Sequence, residues 1–103
     1  MALESFEKQI SEEFTISGGI SDVAITGETV ILAGSSVSAT DKDGTDASSA
    51  VLYGSNISVS TTFLKVKVKA GTVALSPYKI TFKMVTSEDN LYEKDVLMYI
   101  KER

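Results

Sequence analysis

The chain has 103 residues and a formal net charge of −4, and it contains neither cysteine nor histidine. This length fits a single domain over 1–103 with one core of its own. The missing residue types exclude disulfides and thiolate metal sites, and they remove the commonest general base. The acidic balance argues against nucleic acid as a partner, because binding phosphates needs a basic surface.

A membrane partner is not expected either. No apolar run approaches the roughly 20 residues that a membrane-spanning helix needs. The segment 1–8 is acidic and lacks the apolar region of a signal peptide.

The segment 2–14 fits two structures. Its apolar residues recur with the spacing of one helical face: Leu3, Phe6, Ile10 and Phe14. A helix this short is marginal by itself. The alternative is an extended arm over 1–11, with Phe6 and Phe14 covering the edge of the core. The family resemblance described below favours the arm.

The first half of the chain predicts short strands separated by glycine and polar turns. Strands are expected at 12–16, 23–26, 29–33 and 37–40. Ser17-Gly18-Gly19 is expected to end the first strand. Gly34-Ser35-Ser36 predicts a bulge or bend, and 41–46 predicts a polar loop.

The second half predicts strands at 51–53, 57–60 and 63–69, followed by a hairpin. In the strand at 63–69 apolar residues alternate with lysines, which indicates one buried and one solvated face. The same period of two predicts the inward residues of the hairpin: Tyr78, Ile80, Phe82 and Met84 in one strand, and Val96, Met98 and Ile100 in the other. Six to eight such strands indicate an all-β fold, either an antiparallel sandwich or a small barrel.

Chemistry-bearing motifs are weak. The loop 41–46, with three aspartates and a glycine, has oxygen ligands that suit calcium. It lacks the ligand order and the closing glutamate of an EF-hand, so a solvated turn is favoured. Serines in glycine-serine turns have no histidine to activate them. We therefore expect no enzymatic activity, no metal and no cofactor.

Charge is unevenly distributed along the chain. Residues 1–28 hold six acids and one lysine, whereas 63–83 hold five lysines and no acid: Lys65, Lys67, Lys69, Lys79 and Lys83. One explanation is solubility and protection of strand edges. The other is head-to-tail assembly of copies into a homo-oligomer, a ring or stack. Leu97 and Tyr99 are expected on the outer face of the last strand, where they would form an apolar interface patch with Leu91 or Tyr92.

The order of these segments resembles a family of small proteins encoded in tailed-phage and prophage structural gene clusters. The resemblance covers nearly the whole chain and is carried by Phe6-Glu-Lys-Gln, Gly27-Glu-Thr-Val-Ile-Leu-Ala33, Gly44-Thr-Asp-Ala-Ser-Ser-Ala-Val-Leu-Tyr-Gly-Ser55 and Tyr78-Lys-Ile-Thr-Phe. Two positions depart from the pattern. Asn90 stands where a glycine is usual, and asparagine can adopt the left-handed conformation required there. Leu75-Ser-Pro77 stands where a glycine-rich turn is common.

The resemblance implies an immunoglobulin-like antiparallel β-sandwich of about seven strands. It also implies a non-enzymatic head, neck or tail accessory protein whose partners are other virion structural proteins. Its location would be the virion, or the bacterial cytoplasm during assembly. The alternative function is a host-surface or carbohydrate-binding module, for which Tyr53 and Tyr92 are the candidate stacking residues.

Overall fold

The computed structural model describes residues 4–19, 27–53 and 57–101. This part of the chain forms seven strands and one short helix. The strands are β1 (Glu4–Gln9), β2 (Phe14–Gly19), β3 (Val30–Thr40), β4 (Ser58–Ser60), β5 (Phe63–Val68), β6 (Tyr78–Thr86) and β7 (Leu91–Lys101). The helix α1 (Ser48–Val51) is a single turn between β3 and β4.

The strands form two sheets that pack face to face, so the sandwich expectation is confirmed over the barrel. One sheet has four strands in the order β1-β7-β6-β3, and the other has three in the order β2-β5-β4. The pairs β2·β5, β4·β5, β3·β6 and β6·β7 are antiparallel. The expectation of a wholly antiparallel sandwich is wrong in one place, because β1 runs parallel to β7.

The core between the sheets follows the predicted alternation. The inward residues expected for β5, β6 and β7 are all buried: Leu64, Val66 and Val68, then Tyr78, Ile80, Phe82 and Met84, then Val96, Met98 and Ile100. Their outward neighbours are half-buried or exposed. The period of two fixes these faces because successive side chains of a strand point to opposite sides of the sheet.

The first predicted strand has the wrong end. It was expected to stop at the glycine pair, but β2 continues through Gly18 and Gly19. Gly18 is needed inside the strand, because a Cβ there would lie 2.7 Å from Cγ of Phe82 in the opposite sheet. The glycine lets the Phe82 ring pack directly on the β2 backbone.

The predicted bulge in β3 is confirmed. β3 advances from Ile31 to Ser36 while its partner β6 advances only from Val85 to Lys83. The Ser35 hydroxyl closes this irregularity, donating to the Ile31 carbonyl at 2.6 Å and accepting from the Val85 amide at 2.9 Å. Gly34 has a φ of 83°, a conformation that glycine adopts without strain.

The segment 51–53, predicted as a strand, does not form one: Val51 ends α1, and Leu52 makes one isolated bridge to Val68. The described part of 2–14 is not helical, since Glu4–Gln9 forms β1 within the sheet. The predicted strand at 23–26 lies outside the described residues.

Candidate interaction surfaces

The outer face of the three-stranded sheet carries a row of lysines, which we call the lysine face: Lys65, Lys67 and Lys69. In register, Lys65 lies between Ser17 of β2 and Ser58 of β4. Lys67 lies opposite Thr15. Within the described residues none of these lysines forms an ion pair.

Tyr53 lies at one end of the lysine face. Its ring centroid is 5.3 Å from Nζ of Lys67 and 4.7 Å from Nζ of Lys69, which are cation–π distances. Its hydroxyl donates to Oε1 of Glu13 at 2.9 Å. The hydrogen bond to this carboxylate, together with desolvation and the carboxylate charge, raises the pKa of the Tyr53 phenol. The ring is therefore engaged by two ammonium groups.

The outer face of the four-stranded sheet, which we call the mixed face, has a different charge pattern. It holds the other two lysines of the predicted basic set: Lys83 faces Glu93 across the strands, and Lys79 faces Leu97. Beside them, the Thr81 hydroxyl donates to Asp95 at 2.7 Å. The five lysines thus do not share one surface, because β5 and β6 belong to different sheets.

Leu97 and Tyr99 lie on the mixed face, as the alternation predicts, and both are half-buried. Nζ of Lys101 lies 6.0 Å from the centroid of the Tyr99 ring. Leu97 and Tyr99 do not form one patch with Leu91 or Tyr92. Leu91 is at the other end of β7, and Tyr92 faces the core. Leu91 instead pairs with Val85, which pairs with Ile31 of β3.

A groove of about 420 Å³ lies between β1 and β2, at one open side of the sandwich. Its apolar lining comes from Phe6, Phe14, Ile16 and Val96. The rings of Phe6 and Phe14 meet edge to face with centroids 5.8 Å apart, so they bridge the two sheets and cover the core edge. Among the described strands, β1 and β2 are each paired on one side only.

The turn joining β6 to β7 is held by a buried carboxylate. Glu28, only 2% exposed, accepts from the Thr86 hydroxyl and from Nδ2 of Asn90 at 2.8 Å through one oxygen. Its other oxygen accepts from the Tyr92 hydroxyl at 3.1 Å. Burial of the phenol, followed by its bond to this carboxylate, raises the pKa of Tyr92. We call residues 87–91, beyond this anchor, the hairpin tip.

The backbone of the hairpin tip differs from the expectation. The left-handed residue is Asp89, with a φ of 60°, and not Asn90. The Asn90 side chain is used for the bond to Glu28, and its backbone amide donates to the Thr86 hydroxyl at 3.2 Å. The Asp89 amide donates to the Thr86 carbonyl, which closes the turn.

Lys8 is the second buried charged side chain that the sequence analysis missed. It is 1% exposed, and its Nζ donates to the carbonyls of Gln9, Ile10 and Ala70 at 2.7–2.9 Å. Desolvation lowers its pKa, while the nearby charges of Glu12 and Glu13 oppose that shift. The sequence signal was its alternation with Phe6 and Ile10, which places it on the apolar side of a strand. For Glu28 the sequence offers no comparable signal.

The loop 41–46 is a turn that closes on itself. Oδ1 of Asp41 accepts from the amides of Asp43 and Thr45, at 2.9 and 3.1 Å. The Ser48 hydroxyl and amide donate to Asp46, and these bonds lower the pKa of its carboxyl. Across the described ranges, no group of three or more acidic side chains is placed to hold a metal ion.

No known protein family, curated protein or solved structure matches the chain. Within 4–19, 27–53 and 57–101, no helix has the length and apolar character needed to cross a membrane.

Proposed function

We propose that this chain is a non-enzymatic structural module that works by protein–protein assembly, as a head, neck or tail accessory protein of a phage or prophage virion. The observation that supports assembly is the lysine face. Three lysines follow one another along the outer face of one sheet and form no ion pair among the described residues, in a chain whose net charge is −4. A partner surface with acidic groups would relieve their mutual repulsion.

The virion setting is supported by the order of the sequence segments that resemble the phage-cluster family. The immunoglobulin-like connectivity implied by that resemblance is supported by the strand orders. The order β2-β5-β4 corresponds to strands B, E and D of an immunoglobulin constant-type domain, and β7-β6-β3 corresponds to G, F and C. The first strand departs from that scheme by pairing with β7. Backbone NOEs that paired β2 with β7 would contradict this immunoglobulin-like connectivity.

The non-enzymatic part of the proposal is supported by how the two charged side chains buried among the described residues are used. Lys8 spends its three donors on backbone carbonyls, and Glu28 accepts from three side chains of the β6–β7 hairpin. Neither group lines the groove between β1 and β2. Both therefore serve the fold, which supports a role for these two groups in stability and not in catalysis.

The positions of the two tyrosines argue against the carbohydrate-binding alternative. Tyr92 faces the core and donates to Glu28, so its ring is not a stacking platform. Tyr53 has two lysine ammonium groups near its ring. Glycan binding that is lost in Tyr53→Ala would nevertheless favour that alternative.

The test is whether the protein travels with virus particles. Particles released from a strain that carries the gene are banded on a density gradient, and their proteins are identified by mass spectrometry. We expect this chain to band with the particles at a fixed ratio to the other virion proteins. The matched variants are Lys65→Gln/Lys67→Gln, which should lower incorporation, and Lys79→Gln/Lys83→Gln, which should not. Recovery only in the particle-free fraction would contradict the proposed function.

A further inference from the structure

We propose that the hairpin tip of one copy docks on the lysine face of the next copy. This inference rests on the assembly role proposed above, and it names the partner as a second copy of the same chain. It also assigns a purpose to the turn that joins β6 to β7, which Glu28 holds in place.

Charge complementarity selects the two surfaces. Glu88 and Asp89 of the hairpin tip are exposed, and neither forms an ion pair within the described part of the chain. Most other acids of the described ranges are already engaged. Glu7 pairs with Lys101, Glu13 accepts from Tyr53, and Asp95 accepts from Thr81. The hairpin tip is therefore the acidic site best suited to an outside cation.

The spacing of the charges fits the same contact. Alternate residues of a strand lie about 7 Å apart on one face, so the Cα atoms of Lys65 and Lys67 have about that separation. Consecutive Cα atoms lie about 3.8 Å apart, and the carboxylates of Glu88 and Asp89 extend away from them on flexible side chains. Two carboxylates can thus meet two neighbouring lysines.

Apolar side chains flank both charge pairs. Leu91, two residues after Asp89, is 61% exposed and is the most exposed large apolar residue described. Phe63, two residues before Lys65 on the same outer face of β5, is 40% exposed. Contact between these side chains would remove apolar surface from water beside the ion pairs, where desolvation also strengthens the charge interactions.

The hairpin tip is already ordered for docking. Glu28 fixes Thr86, Asn90 and Tyr92, so little conformational freedom is lost when a partner binds. The tip and the lysine face belong to different sheets of the molecule. A contact between unlike surfaces is head-to-tail, and it builds a closed ring or an open filament depending on the rotation between copies.

The experiment is a charge exchange measured by sedimentation. The face variant is Lys65→Glu/Lys67→Glu, and the tip variant is Glu88→Lys/Asp89→Lys. We expect the unmodified protein to self-associate with rising concentration at low salt, and less at high salt. Each variant alone should lose at least about tenfold in association, because like charges then meet. An equimolar mixture should associate again, since the reversed tip fits only the reversed face.

The matched control is Lys79→Glu/Lys83→Glu on the mixed face, which should associate as the unmodified protein does. Circular dichroism melting checks that each variant is folded. The neutral pairs Lys65→Gln/Lys67→Gln and Glu88→Gln/Asp89→Gln should weaken association without creating repulsion, so they replace any variant that does not fold. A monomer at all concentrations, association unchanged in both variants, or a mixture that fails to associate would overturn the docking proposal.

Each of the two proposals can be refuted without refuting the other. If the protein bands with virus particles but the charge exchange has no effect, the docking contact is wrong and the structural role stands. If the charge exchange behaves as expected but the protein never bands with particles, the contact stands and the virion role is wrong.

Discussion

On the mixed face Lys83 lies opposite Glu93, whereas on the lysine face Lys65 lies between Ser17 and Ser58. Both lysines occupy outward positions of strands in which lysines alternate with buried apolar residues. One has an acid as its cross-strand neighbour and the other has two hydroxyls. The difference between the faces therefore comes from the neighbouring strands and not from the lysine strands themselves.

An alternating lysine strand keeps a sheet face hydrated in either case. The face keeps a net positive charge, which a partner can bind, only where the adjacent strands carry no acidic side chain. Lysines that have no acidic cross-strand neighbour therefore mark the candidate interface.

The largest expected effect on stability comes from removing a side chain that packs between the two sheets. Phe82 is fully buried between the sheets and packs on the backbone at Gly18. We expect Phe82→Ala to lower the free energy of unfolding by about 3–5 kcal/mol, through lost burial and the cavity left behind. Urea denaturation measures it. Lys83→Ala, the outward neighbour, should change stability by less than about 0.5 kcal/mol. Equal losses in both would refute this account of the core.

The second effect concerns the hairpin tip that we propose meets the lysine face. Glu28→Ala leaves the Thr86 hydroxyl, the Asn90 amide and the Tyr92 hydroxyl without their common acceptor. We expect a loss of about 1–3 kcal/mol in the free energy of unfolding, measured by urea denaturation. The control Glu88→Ala, exposed at the same tip, should have no measurable effect on stability. A neutral result for Glu28→Ala would mean that the carboxylate does not hold the tip.

A smaller effect compares the two faces directly. Lys83→Glu places a carboxylate opposite Glu93, and we expect this like-charge pair to cost about 0.2–1 kcal/mol. Lys65→Glu has serines on both sides and relieves repulsion with Lys67, so stability should stay equal or rise slightly. Thermal unfolding at low and high salt measures both, and salt should reduce the difference. Equal destabilisation by both substitutions would remove the contrast between the faces.

The smallest effect is a pH dependence at the anchor of the hairpin tip. The pKa of Tyr92 is raised in the folded protein by burial and by its bond to Glu28, so the folded state favours the neutral phenol over the phenolate. The contribution of this preference to stability is fully present below the ordinary tyrosine pKa of 10.0 and is lost as the pH rises through the higher folded value. The stability difference between the unmodified protein and Tyr92→Phe should therefore shrink as the pH is raised through this window. A difference that stays constant would show that the pKa of Tyr92 is not raised in the folded protein.

Local pattern predicted the parts of the fold that depend on the period of two. The buried residues of β5, β6 and β7 and the bulge at Gly34 follow from alternation and turn chemistry over a few residues. The parts that depend on distant partners were not predictable in this way. The β2 strand continues through Gly18 because the Phe82 ring, far away in sequence, takes the place of a side chain.

The candidate surfaces show the same limit. The five lysines were correctly identified as outward residues, but their division between two faces depends on which sheet contains β5 and which contains β6. The parallel pairing of β1 with β7 could not be read from either strand, since pairing direction has no short-range signal in these residues. The burial of Glu28 could not be predicted because its hydrogen-bond partners Thr86, Asn90 and Tyr92 lie in a separate segment of the chain. The burial of Lys8 had a local signal in its alternation with Phe6 and Ile10.

Because Lys8 is enclosed, chemical labelling of its amine reports local opening of the native protein. Amine-reactive reagents modify neutral, accessible amines, and the lysines of the lysine face are accessible at once. The Lys8 amine is more easily deprotonated than an ordinary lysine, yet the carbonyls of Gln9, Ile10 and Ala70 surround it. Reagent can reach it only when the contact between the end of β1 and the loop after β5 separates. The rate at which Lys8 is labelled therefore counts the openings of that side of the sandwich in the native protein.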